Sequence, residues 1–372
     1  MGDSYPKIRA AAVQAAPVFL DREATVEKAC RLIREAGANG AQLAAFPECF
    51  IPAFPHWNSF LSPLEGRRFF LDLFKNAVEI PSPATETLCR AARDAGVVVV
   101  MGLNEKDPGT LGTLYNTQLV IGAEGSILGK HRKLMPTFGE RLVHTGGDGS
   151  SLRTFPTSFG EVGALICGEN TNSLARFALL AQGEKVHVAS WPAFASPALE
   201  VMRQGIGIRI RYHAFEGKVF VVSSSGVFSQ EMVDSIFTDR QPPPIAVNGG
   251  GYSAIVDPAG RYLAGPIEEG ECIVYGDLDF EQIIEGKITH DLIGHYNRFD
   301  VFRLQVNRAS HGPLEIVDEG GVRRAAERLD AGAAASLRRL LEDLRQAPTH
   351  ARERALIHEV RHLLEGERDH LV

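Results

Sequence analysis

The sequence has few cysteines and no long apolar run. Its five cysteines are scattered along 372 residues without paired spacing, which argues against a disulfide framework and against a zinc site built on cysteine pairs. No stretch reaches the ~18 consecutive apolar residues that a transmembrane helix needs, and the N-terminal sequence does not have the pattern of a secretion signal. We therefore expect a cytoplasmic protein with reduced thiols that does not bind a membrane.

Basic stretches interleaved with aromatic residues are also missing, and the formal net charge is −7 at pH 7. This pattern excludes nucleic-acid binding through a positive surface. Apolar residues make up 44% of the chain and charged residues 23%, which is typical of a globular protein with one large core or two smaller ones. The expected partner is a small molecule or a second copy of the chain.

Strand-like and helical patterns alternate from residue 7 to about residue 279. Apolar runs such as "AQLAAFPE" and "VGALICGE" end in turn-forming or polar residues, as strands buried on both faces do. Segments with helical spacing lie between these runs, and "TLYNTQLVIGAEGSILGK" predicts a hairpin. The alternation predicts an α/β fold in which helices pack against mixed sheets.

The character of the sequence changes after about residue 310. Arg, Glu and Ala dominate residues 311–372, and leucines recur there at helical spacing. We interpret residues 8–310 as the folded domain. Residues 311–372 are expected to form a charged, helical extension that either supports oligomerisation or remains a flexible tail.

The extension contains "HEVRH", from His358 to His362, which matches a zinc-protease signature. Helical spacing, however, places Val360, Leu363 and Leu364 on the face opposite the two histidines. A catalytic zinc also needs a third protein ligand and a dry cavity. We interpret the motif as a solvated helix face, and a metalloprotease remains only a remote alternative.

Three reactive side chains follow predicted strands. Glu48 comes after "LAAFP", Lys133 lies beyond the hairpin, and Cys167 ends "VGALI" just before a helical segment. Each alone has an ordinary interpretation, as a loop carboxylate, a solvated cation or a core thiol. Strand ends converge on one rim in layered α/β folds. Together these residues offer a nucleophilic thiol, an ammonium that lowers the thiol's pKa and stabilises negative charge, and a carboxylate base.

Three longer stretches carry a family resemblance. "FPECFIP", "KHRKLMPTFGERLVHTGGDGS" and "LICGEN" resemble, in order and separation, the signature blocks of the nitrilase branch of the carbon-nitrogen hydrolase superfamily. The resemblance covers residues 8 to about 310, including "DLIGHYNRFDVF". It implies a four-layer α-β-β-α sandwich, no metal or organic cofactor, and homodimers that extend into larger spiral homo-oligomers.

The same resemblance assigns roles to four residues. It implies that Cys167 is the nucleophile, Glu48 the general base, Lys133 the cation that stabilises the intermediate, and Glu140 a supporting carboxylate. The implied reaction converts a nitrile to a carboxylic acid and ammonia through a thioimidate and a thioester, with an amide as a further possible product. An amidase of the same superfamily shares the Glu, Lys and Cys and is the alternative.

One position departs from the family pattern. Many nitrilases have Trp after the nucleophile, whereas this chain has Gly168, which removes a bulky wall and permits an unusual backbone geometry. The acid-to-amide ratio is therefore open. Aromatic or arylaliphatic nitriles are favoured, with aliphatic nitriles also open, because several large side chains are candidates for the pocket wall or for core packing. These candidates are Phe54, His56, Trp57, Trp191, Pro192 and Phe194, and Gly168 is a further candidate for the pocket.

Overall fold

The computed structural model describes residues 2–194, 199–244, 247 and 249–310, and within these ranges the chain forms two six-stranded sheets. The predicted extension over residues 311–372, with its "HEVRH" motif, lies outside the described residues. No helix in the described ranges is both long enough and apolar enough to span a bilayer.

Strands and helices alternate along the described chain as the sequence pattern predicts. The strands, in chain order, are β1 (Lys7–Gln14), β2 (Ala41–Ala45), β3 (Val98–Lys106), β4 (Leu114–Ile121), β5 (Ile127–Arg132), β6 (Phe155–Thr157), β7 (Gly160–Ile166), β8 (Glu184–Trp191), β9 (Phe220–Ser225), β10 (Ser253–Val256), β11 (Tyr262–Ile267) and β12 (Cys272–Asp279). The α-helices are α1 (Arg22–Ala38), α2 (Pro63–Asn76), α3 (Pro83–Ala95), α4 (Ser173–Leu180), α5 (Leu199–Gly217), α6 (Gln230–Ile236) and α7 (Glu281–Lys287).

Both sheets have a parallel centre and antiparallel edges. The first sheet has the order β12-β1-β2-β3-β4-β5, in which β1, β2 and β3 are parallel. The second has the order β11-β10-β9-β8-β7-β6, in which β7, β8 and β9 are parallel. The central strands are those whose sequences read as continuous apolar runs, because helices and the opposite sheet cover both of their faces.

The two sheets pack face to face with helices on their outer sides. Alternate residues of β1 separate the layers, since Ala10 and Ala12 belong to the core between the sheets, whereas Ala11 and Val13 face the core under α1 and α3. Residues of α5 similarly pack on the outer face of the second sheet. The predicted four-layer α-β-β-α sandwich is confirmed.

Short polar segments determine where several helices begin. Asp21 caps α1 by accepting a hydrogen bond from the Ala24 N–H at 2.9 Å. Ser62 and Ser82 cap α2 and α3, each of which has proline at its first position. These caps satisfy backbone donors that a helix leaves free at its N-terminus.

A rim where strand ends meet links the two sheets. The Ser190 hydroxyl of β8 donates to the Phe46 carbonyl at 2.9 Å, and the Gln118 amide of β4 donates to the Ser190 oxygen at 2.8 Å. The Glu48 N–H donates to the Trp191 carbonyl at 3.2 Å. The residues that follow β2 are therefore held against the ends of strands in the other sheet.

Candidate active site

Cys167 lies in a tight turn at the end of β7. The chain passes from Ile166 directly into a 3₁₀ turn over Cys167–Thr171 and then into α4. Cys167 itself has a φ of +49°, in the left-handed region that residues other than glycine rarely adopt. Gly168 does not have a positive φ. The unusual backbone geometry expected at Gly168 is thus found one residue earlier, at the thiol.

Glu169 connects this turn to the segment that carries Lys133. Its buried carboxylate accepts hydrogen bonds from the Ile166 N–H at 2.9 Å and from the Leu134 N–H at 2.8 Å. The His131 Nε2 lies 3.0 Å from the same carboxylate. Burial alone would raise the pKa of Glu169, but His131 outweighs it and lowers that pKa. An ionised carboxylate therefore holds two parts of the site together.

Lys133 is fully buried, whereas Lys130 and Arg132, nearby in the sequence, are partly exposed. Its Nζ donates to Glu48 Oε1 at 2.7 Å and to Glu140 Oε2 at 2.6 Å. Burial alone would lower the pKa of Lys133, but the surrounding anionic groups, Glu48 foremost, raise it well above its usual value. The ammonium is therefore charged and lies between two carboxylates.

Asn116, in the middle of β4, orients both carboxylates. Its Nδ2 donates to Glu48 Oε1 at 2.6 Å and to Glu140 Oε1 at 2.9 Å. The second oxygen of Glu48, Oε2, is buried and has no hydrogen-bond partner among the described residues. Glu48 therefore retains one oxygen that can accept a proton.

The two carboxylates titrate very differently. Burial raises the pKa of Glu48 to about 7, with the Lys133 ammonium opposing the rise and the Glu140 charge adding to it. Burial also acts on Glu140, but His144 and Lys133 outweigh it and hold its pKa at about 2. The pair thus contains one permanent anion and one group that gains or loses a proton near neutral pH.

The thiol is protonated in the free site. Burial raises the pKa of Cys167, the Glu48 charge raises it further, and Lys133 lowers it. The expectation that the ammonium leaves the thiol with a lowered pKa is wrong, because desolvation exceeds the attraction of Lys133. Attack by sulfur consequently requires a base that removes the proton as the new bond forms.

A cavity of about 750 Å³ opens onto Cys167 and Glu140. Four of the predicted wall residues line it, namely Phe54, His56, Pro192 and Phe194. The other aromatic rings along it are those of Phe60, Phe138 and Phe237. The wall is mainly aromatic and apolar, and its polar side chains are those of Asn58, Ser59, Thr137, Glu140, Arg240 and Gln241.

Three of the proposed wall residues lie elsewhere. The Trp57 ring stacks on Phe69 with 5.4 Å between centroids, in a buried cluster behind the cavity. Trp191 is also buried and donates its indole N–H to the Ser223 hydroxyl at 3.0 Å. Gly168 does not line the cavity, although a Cβ built there would lie 3.3 Å from Thr137 Oγ1. The two tryptophans are core residues.

The sequence pattern does not single out Asn116, His131, Glu169 or Asn170 as site residues. A polar residue within an otherwise apolar strand, as in "TLYNTQLV", is the signal that could have identified Asn116. The remaining contacts depend on the meeting of separate strands. They follow from the fold rather than from local spacing.

The chain is similar to known proteins over most of its length. Residues 9–287 match the carbon-nitrogen hydrolase family. A nitrilase from Paraburkholderia phymatum is 40% identical over 300 residues, covering 81% of this chain and 86% of that protein. An aliphatic nitrilase from Rhodococcus rhodochrous is 39% identical, covering 82% and 84%. An arylacetonitrilase from Aspergillus niger is 38% identical, covering 86% and 94%.

A solved carbon-nitrogen hydrolase from Helicobacter pylori G27 has the same fold. It superposes with a TM-score of 0.65 at 22% identity, covering 79% of this chain and 97% of that structure. The relatives matched by sequence are much more similar and extend over most of both chains. On these grounds the chain belongs to the carbon-nitrogen hydrolase family, in its nitrilase branch.

Proposed function

We propose that the protein is a nitrilase that converts a nitrile and two waters to a carboxylic acid and ammonia, with Cys167 as its nucleophile. The observation that carries this proposal is the unpartnered, buried Oε2 of Glu48 at the same centre as the protonated thiol. The Lys133 ammonium is bound to both neighbouring carboxylates. Nitrilase relatives at about 40% identity support the same chemistry.

In the first step, Glu48 accepts the Cys167 proton as the sulfur adds to the nitrile carbon. The proton passes on to the nitrile nitrogen, so that R–C≡N becomes the thioimidate R–C(=NH)–S–Cys167. With a pKa of about 7, Glu48 is ionised in a large fraction of molecules near neutral pH and can return the proton readily.

The second half of the reaction uses two waters. The first adds to the thioimidate carbon, and departure of ammonia leaves a thioester. Glu48 then removes a proton from the second water, which attacks the thioester and releases the acid and the thiol. Lys133 stabilises the negative charge that develops in the tetrahedral intermediates. Glu140 keeps that ammonium in place through the 2.6 Å contact.

An amide forms when the first tetrahedral intermediate expels the Cys167 sulfur instead of ammonia. The balance depends on how the nitrogen and the sulfur are held beside Gly168 and Thr137. A side chain at position 168 would approach Thr137, which lines the cavity. We therefore propose that Gly168 influences the acid-to-amide ratio by leaving this space open.

The cavity supports aromatic or arylaliphatic nitriles as the preferred substrates. Rings such as those of Phe54, Phe60, Phe194 and Phe237 surround a volume of about 750 Å³, which accommodates a phenyl group with a short side arm. His56 is buried among these rings, and burial lowers its pKa to about 3, so it adds no charge. Two relatives carry the names arylacetonitrilase and aliphatic nitrilase, so both substrate classes belong in the test.

The test is a panel of aromatic, arylaliphatic and aliphatic nitriles, with the matching amides assayed in parallel. We expect ammonia and acid from arylaliphatic or aromatic nitriles, loss of turnover in Cys167→Ala, and normal turnover in the control Cys272→Ala. Mass spectrometry of acid-quenched enzyme should locate an acyl adduct on Cys167. Activity on amides alone would make the protein an amidase, and turnover by Cys167→Ala would overturn the assignment of the nucleophile.

We further propose that the enzyme acts in the cytoplasm as a homodimer or larger spiral oligomer, without nucleic-acid or membrane partners. All five cysteines lie in the described ranges and are free thiols, in keeping with a reducing compartment. Exposed apolar residues of α5, among them Ile208 and Tyr212, offer a surface for a second copy. Residues 8–310 are the proposed catalytic domain. Light scattering of the full chain and of a chain ending at residue 310 tests whether residues 311–372 contribute to assembly.

A further inference from the structure

A second buried cluster of titratable residues lies beneath the Cys167 turn. Glu184 begins β8, His187 follows three residues later, and His213 comes from α5. Glu184 Oε1 lies 2.7 Å from His187 Nδ1, and Glu184 Oε2 lies 2.9 Å from His213 Nε2. All three side chains are almost completely buried. The chemistry proposed above uses none of them.

The cluster is connected to the nucleophile through Asn170. His187 Nε2 lies 2.8 Å from Asn170 Oδ1. The amide nitrogen of Asn170 donates to the Cys167 carbonyl at 3.1 Å and to the Leu165 carbonyl at 3.3 Å. A continuous series of hydrogen bonds therefore runs from Glu184 to the backbone of Cys167, whose φ is +49°.

The hydrogen-bond pattern fixes the orientation of the His187 ring. Because the Asn170 NH₂ group faces two carbonyls, its oxygen faces His187 Nε2. His187 Nδ1 faces the Glu184 carboxylate. Burial would raise the pKa of Glu184, but His187 and His213 outweigh it and lower that pKa to about 2. His187 therefore links an ionised carboxylate to the Asn170 amide, and hydrogen bonds to an ionised acceptor are shorter and stronger than neutral ones.

His213 completes the arrangement without adding a charge. Burial lowers its pKa to about 4, so the ring is neutral and donates from Nε2 to the second oxygen of Glu184. Its Nδ1 has no hydrogen-bond partner within the described part of the chain. The carboxylate of Glu184 is therefore held on both oxygens and cannot rotate away from His187.

The same three residues have donor atoms close enough to be considered as metal ligands. Each Glu184 oxygen, however, already contacts a different imidazole at hydrogen-bond distance. A metal ion would have to replace both contacts, and His187 is additionally held by Asn170. The observed geometry is satisfied by hydrogen bonds, so the cluster is best explained as a support for the turn.

We propose that His187 and Glu184 are positioning residues for the nitrilase reaction. His187 transmits the rigidity of β8 to the Cys167 turn through Asn170, and Glu184 keeps the imidazole correctly oriented. The left-handed backbone at Cys167 persists only if its surroundings hold it there. Release of the Asn170 amide would let the turn relax and move the sulfur relative to Glu48 and the cavity. This proposal rests on the function proposed above.

Two amide substitutions of His187 separate its two contacts. In His187→Gln the amide nitrogen can occupy the place of Nε2 and still donate to Asn170. In His187→Asn it can occupy the place of Nδ1 and donate to Glu184, but the contact with Asn170 is lost. We expect kcat to fall about 10²-fold in His187→Asn, since small displacements of reacting groups have effects of that size. His187→Gln should keep most of the wild-type kcat.

A second measurement requires no nitrile. Alkylation of Cys167 by iodoacetamide, followed by peptide mass spectrometry, reports directly on the reactivity of the thiol. We expect slower alkylation in His187→Asn and in Glu184→Gln than in His187→Gln. The matched control is Asp257→Asn, which replaces another buried carboxylate, just after the end of β10, whose hydrogen bonds run to Ala259 and Arg261. It should lower Tm without changing kcat or the alkylation rate.

The outcomes distinguish the possible failures. Equal kcat and equal alkylation rates in the two His187 variants, with only Tm reduced, would overturn the proposal by showing a purely structural role. Stoichiometric metal in the purified enzyme, with activity lost to a chelator, would also overturn it. A wild-type enzyme that turns over no nitrile would contradict the proposed function, while the alkylation rates would still test the positioning role.

Discussion

Two carboxylate–cation clusters lie on the same sheet and differ in the ratio of their charges. In the first, Glu105 accepts contacts from Lys130 and from Arg132, whose Nη2 lies 2.5 Å from Oε1. In the second, Glu48 and Glu140 both accept from Lys133. The cations are close neighbours in the sequence "KHRK". One cluster has two cations for one carboxylate, and the other has one cation for two.

This difference decides the acidity of each carboxylate. Burial acts to raise the pKa of Glu105, but Arg132 and Lys130 outweigh it and lower that pKa below its usual value. Burial and the neighbouring Glu140 raise the pKa of Glu48 to about 7, although Lys133 is in direct contact. A buried carboxylate becomes a base near neutral pH only when cations are too few to hold it ionised.

The largest difference in activity is expected between Glu48→Gln and Glu105→Gln, in which each carboxylate is replaced by the matching amide. Glu48→Gln removes the proton acceptor while keeping the shape of the side chain, so we expect kcat/KM to fall about 10²- to 10⁴-fold. Glu105→Gln should leave kcat/KM within about twofold and reduce the free energy of unfolding by about 1–3 kcal/mol, because charged hydrogen bonds are lost. Steady-state kinetics and urea unfolding of both variants make the comparison.

A large loss of activity in Glu105→Gln with intact folding would contradict the division into a structural and a catalytic cluster. Retention of activity in Glu48→Gln would remove Glu48 as the base. Circular dichroism of both variants at the assay temperature provides the control for folding.

Removing the shared cation is the next test. Lys133→Met leaves Glu48 and Glu140 facing one another without an ammonium, so we expect loss of activity and lower stability. The double variant Lys133→Met/Glu140→Gln removes the repulsion and should recover stability without recovering activity. Thermal unfolding and nitrile turnover measured together distinguish the two effects. Recovery of activity in the double variant would show that Lys133 only balances charge.

Much of the fold was predictable from the sequence because each central strand is a continuous apolar run with a polar or turn residue at its end. The same pattern singled out Glu48 and Cys167, which follow β2 and β7. Lys133 was also identified, by its place beyond the hairpin, but the pattern does not show how its surroundings differ from those of Lys130 in the same cationic stretch. Their opposite environments depend on strand β4, which places Asn116 beside the site, and on Glu105 of β3.

The raised pKa of the Cys167 thiol could not be predicted from the sequence either. Local spacing shows that a cation and a helix can approach Cys167, but the cost of removing water depends on how completely both sheets enclose it. The places of Trp57 and Trp191 were ambiguous for a related reason. Large aromatic side chains are suited both to a core and to a pocket wall. The stacking of Trp57 on Phe69 and the hydrogen bond from Trp191 to Ser223 show that both are core residues.

The pH dependence of activity should follow the charge ratio. Glu48 must be ionised to act, so the acid limb of kcat/KM is expected near pH 7 in the wild type. Glu140→Gln removes the negative charge that raises the pKa of Glu48. The Lys133 ammonium then forms an ion pair with Glu48 alone. The limb should therefore move to lower pH, and Glu105→Gln should not move it. A limb that is unchanged or moves to higher pH in Glu140→Gln would contradict this coupling.

The smallest expected effect is on the pH dependence of stability, where the two carboxylates act with opposite signs. The pKa of Glu48 is raised on folding, so its contribution is fully present below the unfolded pKa, about 4.3, and is lost as pH rises through about 7. The pKa of Glu105 is lowered on folding, so its contribution is present above the unfolded pKa and is lost at more acidic pH. Urea unfolding should therefore show Glu48→Gln gaining stability relative to the wild type between pH 5 and about pH 8. The loss of unfolding free energy in Glu105→Gln relative to the wild type should become smaller only at acidic pH. If the stability of the two variants followed parallel pH profiles, the charge ratio would not control these carboxylates.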